Sequence, residues 1–164
     1  MKPKFPLVVT VIALSLCSFV TLKTVAEEQT AVFAGGCFWC TESDFEKLDG
    51  VISAASGYIG GQLKNPTYKQ VSSGGSGHTE AVQVIFDDQT VSYADLVEYF
   101  WKTIDPTDGG GQFCDRGQQY RSEIFYQTEE QRSIAQSSKD ALAASGLLKA
   151  PIATQLTPSS HFYP

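Results

Sequence analysis

Apolar and polar residues along this chain switch between two periods. Thr30-Ala31-Val32-Phe33-Ala34 is a short apolar run closed by Gly35-Gly36, the pattern of a buried strand. Immediately after it, Phe38, Phe45 and Leu48 fall on helical spacing, with Gly50 marking the exit. Val51 to Gly57 reads as a second strand. Tyr58 to Gly77 reads as loop, punctuated by Gly60-Gly61, Asn65-Pro66 and the glycines of Ser72–Gly77. From Thr79 to Phe86 the period is two again, with Ala81, Val84 and Phe86 set against polar neighbours. Ser92-Tyr93-Ala94-Asp95 is a capping signal for a helix carrying Leu96, Phe100 and Ile104 on one side. A glycine-rich loop from Asp105 to Gln119 precedes a strand at Arg121–Tyr126. Thr128-Glu129-Glu130-Gln131 is a second capping box, opening a helix that Gly146 ends, and Ile152 to Leu156 is a last short strand. Strands alternating with helices over unequal connections predict an α+β fold: a two-layer sandwich with a mixed β-sheet and flanking helices, a ferredoxin-like βαβ elaboration.

The N-terminus follows a different pattern. Lys2 and Lys4 precede a mostly apolar stretch from Leu7 to Leu22, and Thr24-Val25-Ala26 places a small residue before Glu27. That is the layout of a cleaved secretory signal over residues 1–26; an uncleaved membrane anchor is the alternative, although the apolar run barely reaches the length it needs. Leu16 stands where a lipoprotein signal wants a small residue before Cys17, which argues against lipidation. An exported protein, periplasmic or secreted, is expected, with one domain over residues 27–164, since 164 residues suffice for one core and not for two. Removing residues 1–26 takes away three lysines and no acid, leaving nine basic and eighteen acidic residues, a net charge of −9. So acidic a chain is unsuited to a phosphate backbone, which excludes nucleic acid as a partner.

The chemistry concentrates in Gly36-Cys37-Phe38-Trp39-Cys40. A cysteine at a strand-to-helix turn meets free backbone N–H groups and the positive end of a helix dipole, both favourable to a thiolate. Phe38 and Trp39 can wall a cup suited to a methyl or thioether group. Cys37-x-x-Cys40 as half of a zinc site needs two further ligands, and Cys114, His78 and His161 form no second close pair. So small a loop makes a weak structural disulfide. A thioredoxin-type redox pair is the serious rival, although about ten residues after the signal leave little room for the preceding strand such folds carry. His78-Thr79-Glu80 imitates half of a zinc deaminase signature in the wrong order, and Ser72–Gly77 lacks the Gly-Lys-Ser/Thr ending of a phosphate cradle. No metal and no cofactor is expected.

From Ala31 to Pro164 the sequence resembles the peptide methionine sulfoxide reductase A family. The resemblance rests on Gly35-Gly36-Cys37-Phe38-Trp39-Cys40, Ser56-Gly57-Tyr58-Ile59-Gly60-Gly61, Asn65-Pro66-Thr67-Tyr68, Gly77-His78-Thr79-Glu80-Ala81-Val82 and Asp115-Arg116-Gly117-Gln118-Gln119-Tyr120-Arg121-Ser122, in that order. It implies a repair enzyme of oxidative stress that reduces the S-epimer of methionine sulfoxide, free or in oxidised proteins. Cys37 would be the nucleophile, Phe38 and Trp39 the substrate's methyl site, and Glu80 the acid. Tyr68 and Tyr120 would be hydrogen-bond donors to the sulfoxide oxygen, and Asp115 an orienting residue. Each of these taken singly is ordinary: a solvated glutamate, packing tyrosines, a turn aspartate.

The chemistry needs such types. A thiolate attacking sulfur pushes charge onto the sulfoxide oxygen, which a carboxylic acid kept protonated by an apolar pocket can neutralise while two phenols donate to it. Cys37 then becomes a sulfenic acid that a second thiol resolves. Cys40 and Cys114 are the candidates. Cys40 is preferred, since three residues on a helix put Cα atoms roughly 5–5.5 Å apart, within disulfide reach. The family pattern continues beyond His161-Phe162-Tyr163-Pro164, often with a resolving cysteine, so a C-terminal truncation is expected. A thioredoxin or thioredoxin-like reductant and a monomeric state complete the expectation. The alternatives are a secreted thiol-disulfide oxidoreductase using Cys37-x-x-Cys40 and a binding or sensing module without turnover.

Overall fold

The computed structural model describes residues 27–164. Expectations about residues 1–26 fall outside that range. Strand β1 (Glu28–Gly35) lies at the centre of a five-stranded sheet ordered β2-β3-β1-β6-β7. It pairs antiparallel with β3 (Thr79–Asp87) on one side and β6 (Ser122–Tyr126) on the other. β2 (Val51–Ile59) pairs antiparallel with β3, and β7 (Gln155–Pro158) parallel with β6, so the sheet is mixed. β1, helix α1 (Phe38–Phe45) and β2 form a βαβ unit split by β3, the ferredoxin-like arrangement, to which β7 adds an edge.

The period-two pattern sorts the sheet's side chains into two cores. Ala31, Phe33, Val82, Val84, Phe86 and Ile124 face the helices and pack with Phe38 and Phe45 of α1, Leu96, Val97 and Phe100 of α3 (Tyr93–Thr103), and Ala135 of α4 (Glu129–Ala144). Phe33 anchors this layer, its ring 4.8 Å from Phe45 and 5.1 Å from Phe100. On the opposite face Val32, Ala34, Ile59, Ala81 and Phe125 form a smaller cluster under Phe162.

Local signals set most boundaries. Ser92 caps α3 reciprocally: its Oγ accepts from the Asp95 N–H at 3.1 Å and Asp95 Oδ2 accepts from the Ser92 N–H at 3.0 Å. The Thr128 box is only half formed. Thr128 Oγ1 accepts from the Gln131 N–H, but Gln131 turns its amide to the Gln127 N–H and to the carbonyl of Thr30 on β1. The acceptor oxygen goes to the N–H one residue before the cap, and the Nε2 donor reaches across to the sheet. Helix α1 stops at Phe45, and Leu48 lies beyond it in a tighter turn, its N–H donating to the Phe45 carbonyl. β7 begins at Gln155 rather than Ile152, because pairing with β6 sets Gln155 opposite Glu123. The span read as loop contains two more residues of β2 and a short helix α2 (Tyr68–Ser72), capped by a Thr67–Gln70 box. The glycine-rich loop holds a hairpin, β4 (Gly111–Gln112) and β5 (Asp115–Arg116), then a 3-10 turn at Gln118–Tyr120. Among the described residues no helix is long and apolar enough to cross a membrane.

Candidate active site

β1 delivers the chain to Gly36 at φ +92, where an added Cβ would stand 2.7 Å from Gln112 Cβ. Only glycine makes that turn under the packed Gln112 side chain. Cys37 follows as the N-cap of α1, half-buried and without a side-chain capping bond, so its sulfur is free at the positive end of the helix. Its carbonyl accepts from the N–H groups of Cys40 at 3.1 Å and Thr41 at 3.2 Å.

Glu80 rises from β3 beneath this helix start and is 2% exposed. Its Oε2 accepts from the Phe38 N–H at 3.2 Å. Burial pushes the carboxyl above its ordinary range; the Phe38 N–H pulls the other way, and the nearby Asp115 charge adds to the rise. The net effect is a carboxylic acid that keeps its proton to higher pH than a surface glutamate.

Three aromatic rings cover the helix start. Phe38 and Trp39 lie 5.2 Å apart, and Tyr68, the first residue of α2, stacks on Trp39 at 6.0 Å and on Phe38 at 6.3 Å. Phe38 is buried, whereas Trp39 and Tyr68 are half or more exposed, so the cup opens to solvent. Tyr120 ends the 3-10 turn, and Asp115 begins β5. The Tyr120 hydroxyl is pushed up by burial and then by the charges of Glu80, Tyr68, Asp115 and Cys37, so each of these four lies within electrostatic reach of it. Residues scattered over more than eighty positions of sequence are thus brought together by the ends of β1 and β3, α2 and the β5–β6 connection.

Cys40 sits one helical turn on and is exposed. Burial first, then the neighbouring Cys37 thiol and the Asp115 charge, push its thiol up. Cys114 is exposed at the tip of the β4–β5 turn, beside Phe113, which holds φ +50. All three cysteines of the described residues are free thiols. His78, by contrast, is a strut: Nε2–H donates to the Leu63 carbonyl at 2.8 Å and Nδ1 accepts from the Gly61 N–H at 3.2 Å, tying down the loop that leads to Tyr68.

Two contributors carried no role in the sequence reading. Gln112 is 1% exposed and clasps Asp105 through both amide atoms, at 2.8 and 2.9 Å, forming the floor under Gly36. Tyr58 stands directly opposite Glu80 in the β2–β3 register, its ring 5.7 Å from Phe38. A tyrosine in a strand is a weak signal, and its partner is visible only in the register. The site itself is open; the more enclosed hollow beside Tyr93 and Gln131, of about 390 Å³, contains none of these residues.

The sequence model of the peptide methionine sulfoxide reductase family matches residues 29–164. The peptide methionine sulfoxide reductase MsrA of Streptococcus agalactiae is 58% identical over 136 residues, spanning 83% of this chain and 80% of its own. Among solved structures, methionine sulfoxide reductase A of Corynebacterium diphtheriae superposes with a TM-score of 0.71 at 33% identity, over 87% of this chain and 72% of that one. Mxr1 from Saccharomyces cerevisiae in reduced form gives 0.74 at 28% identity, over 83% and 78%.

Proposed function

The chain belongs to the peptide methionine sulfoxide reductase family, and on that premise we propose how its residues divide the reduction of methionine sulfoxide among them. The observation that carries the assignment is the placement of a buried, proton-retaining carboxyl, Glu80, under the same helix start that presents the Cys37 sulfur.

The Cys37 thiolate attacks the sulfoxide sulfur, with the substrate methyl group against Phe38 and Trp39. Charge grows on the sulfoxide oxygen, Glu80 transfers its proton there, and Tyr68 and Tyr120 donate hydrogen bonds. Asp115 orients the surrounding donors. The oxygen leaves methionine for the Cys37 sulfur, so methionine is released and Cys37 becomes a sulfenic acid. Cys40, three residues on in the first turn of α1, attacks it; the Cys37–Cys40 disulfide forms and the oxygen departs as water. A thioredoxin-like dithiol then reduces the disulfide by attack on the exposed Cys40 sulfur. An open cup suits a side chain presented by a polypeptide as well as free methionine sulfoxide. Family membership does not favour general thiol–disulfide exchange.

Export remains part of the proposal, supported by the lysines, apolar run and Ala26 of residues 1–26. Mass measurement of the chain recovered from outside the cytoplasm tests it: a first residue of Glu27 is expected, and an intact N-terminus overturns cleavage.

The activity test is methionine release from each sulfoxide epimer with dithiothreitol. Wild type is expected to act on the S-epimer alone, and Cys37→Ser to lose activity by orders of magnitude, about 10³-fold or more, while keeping its fold. Residual turnover of several per cent in Cys37→Ser would remove Cys37 from the nucleophile's role.

A further inference from the structure

Tyr58 lies outside the set of Glu80, Tyr68 and Tyr120 that serves the sulfoxide oxygen, yet it faces Glu80 directly across the sheet. The two residues are direct partners in the β2–β3 register. Tyr58 turns its own amide groups the other way: its N–H donates to the Tyr163 carbonyl at 2.8 Å and its carbonyl accepts from the Tyr163 N–H at 2.9 Å. A residue whose amide groups face the outer side forms a non-hydrogen-bonded pair with its inner partner. In such pairs Cα atoms approach to about 4.5 Å and the side chains run closest together. Both side chains point to the helix face, since Phe38 receives each of them: its N–H bonds Glu80 Oε2 at 3.2 Å, and its ring sits 5.7 Å from the Tyr58 ring. Tyr58 is 8% exposed. The glycine before it, Gly57, admits Tyr163 and Phe162, because a Cβ there would collide with both. The Glu80 carboxyl is therefore walled by one ring clamped from the sheet edge and capped by one amide from α1.

We propose that Tyr58 is a positioning residue whose ring holds the Glu80 carboxyl against the Phe38 N–H and keeps water from it, the hydroxyl being dispensable. This rests on the reading of Glu80 as the proton donor. Burial as the main cause of the raised Glu80 titration agrees with it, as does the influence of Glu80 and Tyr68 on the Tyr58 hydroxyl. Of the other ionisable groups, Asp115 and Tyr120 interact with the carboxyl, while Tyr68 acts on both Tyr58 and Tyr120 and Cys37 on Tyr120. All are retained in the variants below, so differences among those variants belong to the ring.

The test uses the folded, substrate-free enzyme. The C=O stretch of a protonated carboxyl is followed by infrared spectroscopy against pH and assigned by its loss in Glu80→Gln. Tyr58→Phe is expected to titrate as the parent does, and Tyr58→Val and Tyr58→Leu to ionise at lower pH. The direction follows from hydration: admitting water stabilises the carboxylate, so the proton leaves earlier as pH rises. In single-turnover reduction the same variants should lose rate on the alkaline side, by about tenfold for each pH unit that the titration moves, and approach the parent at acid pH. Carrying Val and Leu together keeps the titration readable if the smaller side chain unfolds the domain. An unmoved titration in both, or a shift in Tyr58→Phe equal to theirs, overturns the proposal. The infrared titration needs no sulfoxide, so its outcome is separate from that of the activity assay.

Discussion

The N–H of Phe38, the residue following the nucleophile, donates to the buried Oε2 of Glu80 at 3.2 Å. That bond couples the two ends of the reaction. It ties the first turn of α1 to β3, and it favours the ionised carboxyl while burial favours the protonated one. Burial is the larger effect, so the acid is poised with a proton to give and an amide waiting to receive the charge left behind.

The first prediction follows from that balance. Glu80→Gln should slow sulfoxide reduction in a single turnover by about 10²–10⁴-fold, the range for a general acid, with little change in substrate affinity. The parent's proton-donor limb should fall as pH rises. Stability carries the same sign: a carboxyl whose titration is raised by folding stabilises the fold below its unfolded value and loses that contribution as pH climbs through the folded one. Glu80→Gln should therefore gain stability relative to the parent between acid and mildly alkaline pH, read by urea titration at both. A gain at acid pH instead would mean that the carboxyl is ionised in the native state.

Resolution is tested by mass mapping. After one turnover without reductant, a Cys37–Cys40 disulfide is expected, because Cys40 lies three residues on from Cys37 at the start of α1, where Cα atoms are roughly 5–5.5 Å apart and within disulfide reach. Cys40→Ser should release one methionine per enzyme and then stall with Cys37 oxidised, trapped by a sulfenic acid reagent. A Cys37–Cys114 bridge in the wild type would transfer the role to the hairpin tip.

Gly36→Ala should fail both ways. The residue holds φ +92 and its Cβ would meet Gln112 at 2.7 Å, a strain of roughly 1–3 kcal/mol before the clash is counted. The melting temperature should drop, and reduction should weaken because the strand-to-helix turn aims Cys37. Wild-type melting together with full activity would show that the turn relaxes freely.

Arg121 bonds Glu123 at 2.7 Å with side chains 15% and 3% exposed, and Thr157 also donates to that carboxylate. Arg121→Met strands a buried charge, at a cost of about 3–5 kcal/mol. Arg121→Met combined with Glu123→Leu should recover most of the loss. Equal destabilisation in the single and double variants, by chemical denaturation, would place Arg121's contribution elsewhere.

Some of this protein was decided within a few residues of chain. The Ser92–Asp95 cap, the exits at Gly50 and Gly146, and the apolar strand running into Gly35-Gly36-Cys37 depend on neighbours one to four positions away, and the sequence shows them directly. The Thr67–Gln70 box is equally local, although the glycines and Pro66 around it carry the stronger loop signal. The residue types of the site were legible too, through five motifs in order.

Other features were settled only by the assembled sheet. Gln131 Nε2 donates to the carbonyl of Thr30, a hundred and one residues away. β7 starts where Glu123 of β6 sets it. Tyr58 becomes the wall of Glu80 because β2 and β3 pair in one register, and a shift by one residue would send that ring to the opposite face. Local hydrogen bonds and backbone dihedrals are properties of adjacent residues, so sequence alone determines them. Whether a carboxyl keeps its proton depends on which distant side chains exclude water from it, and only tertiary structure decides that.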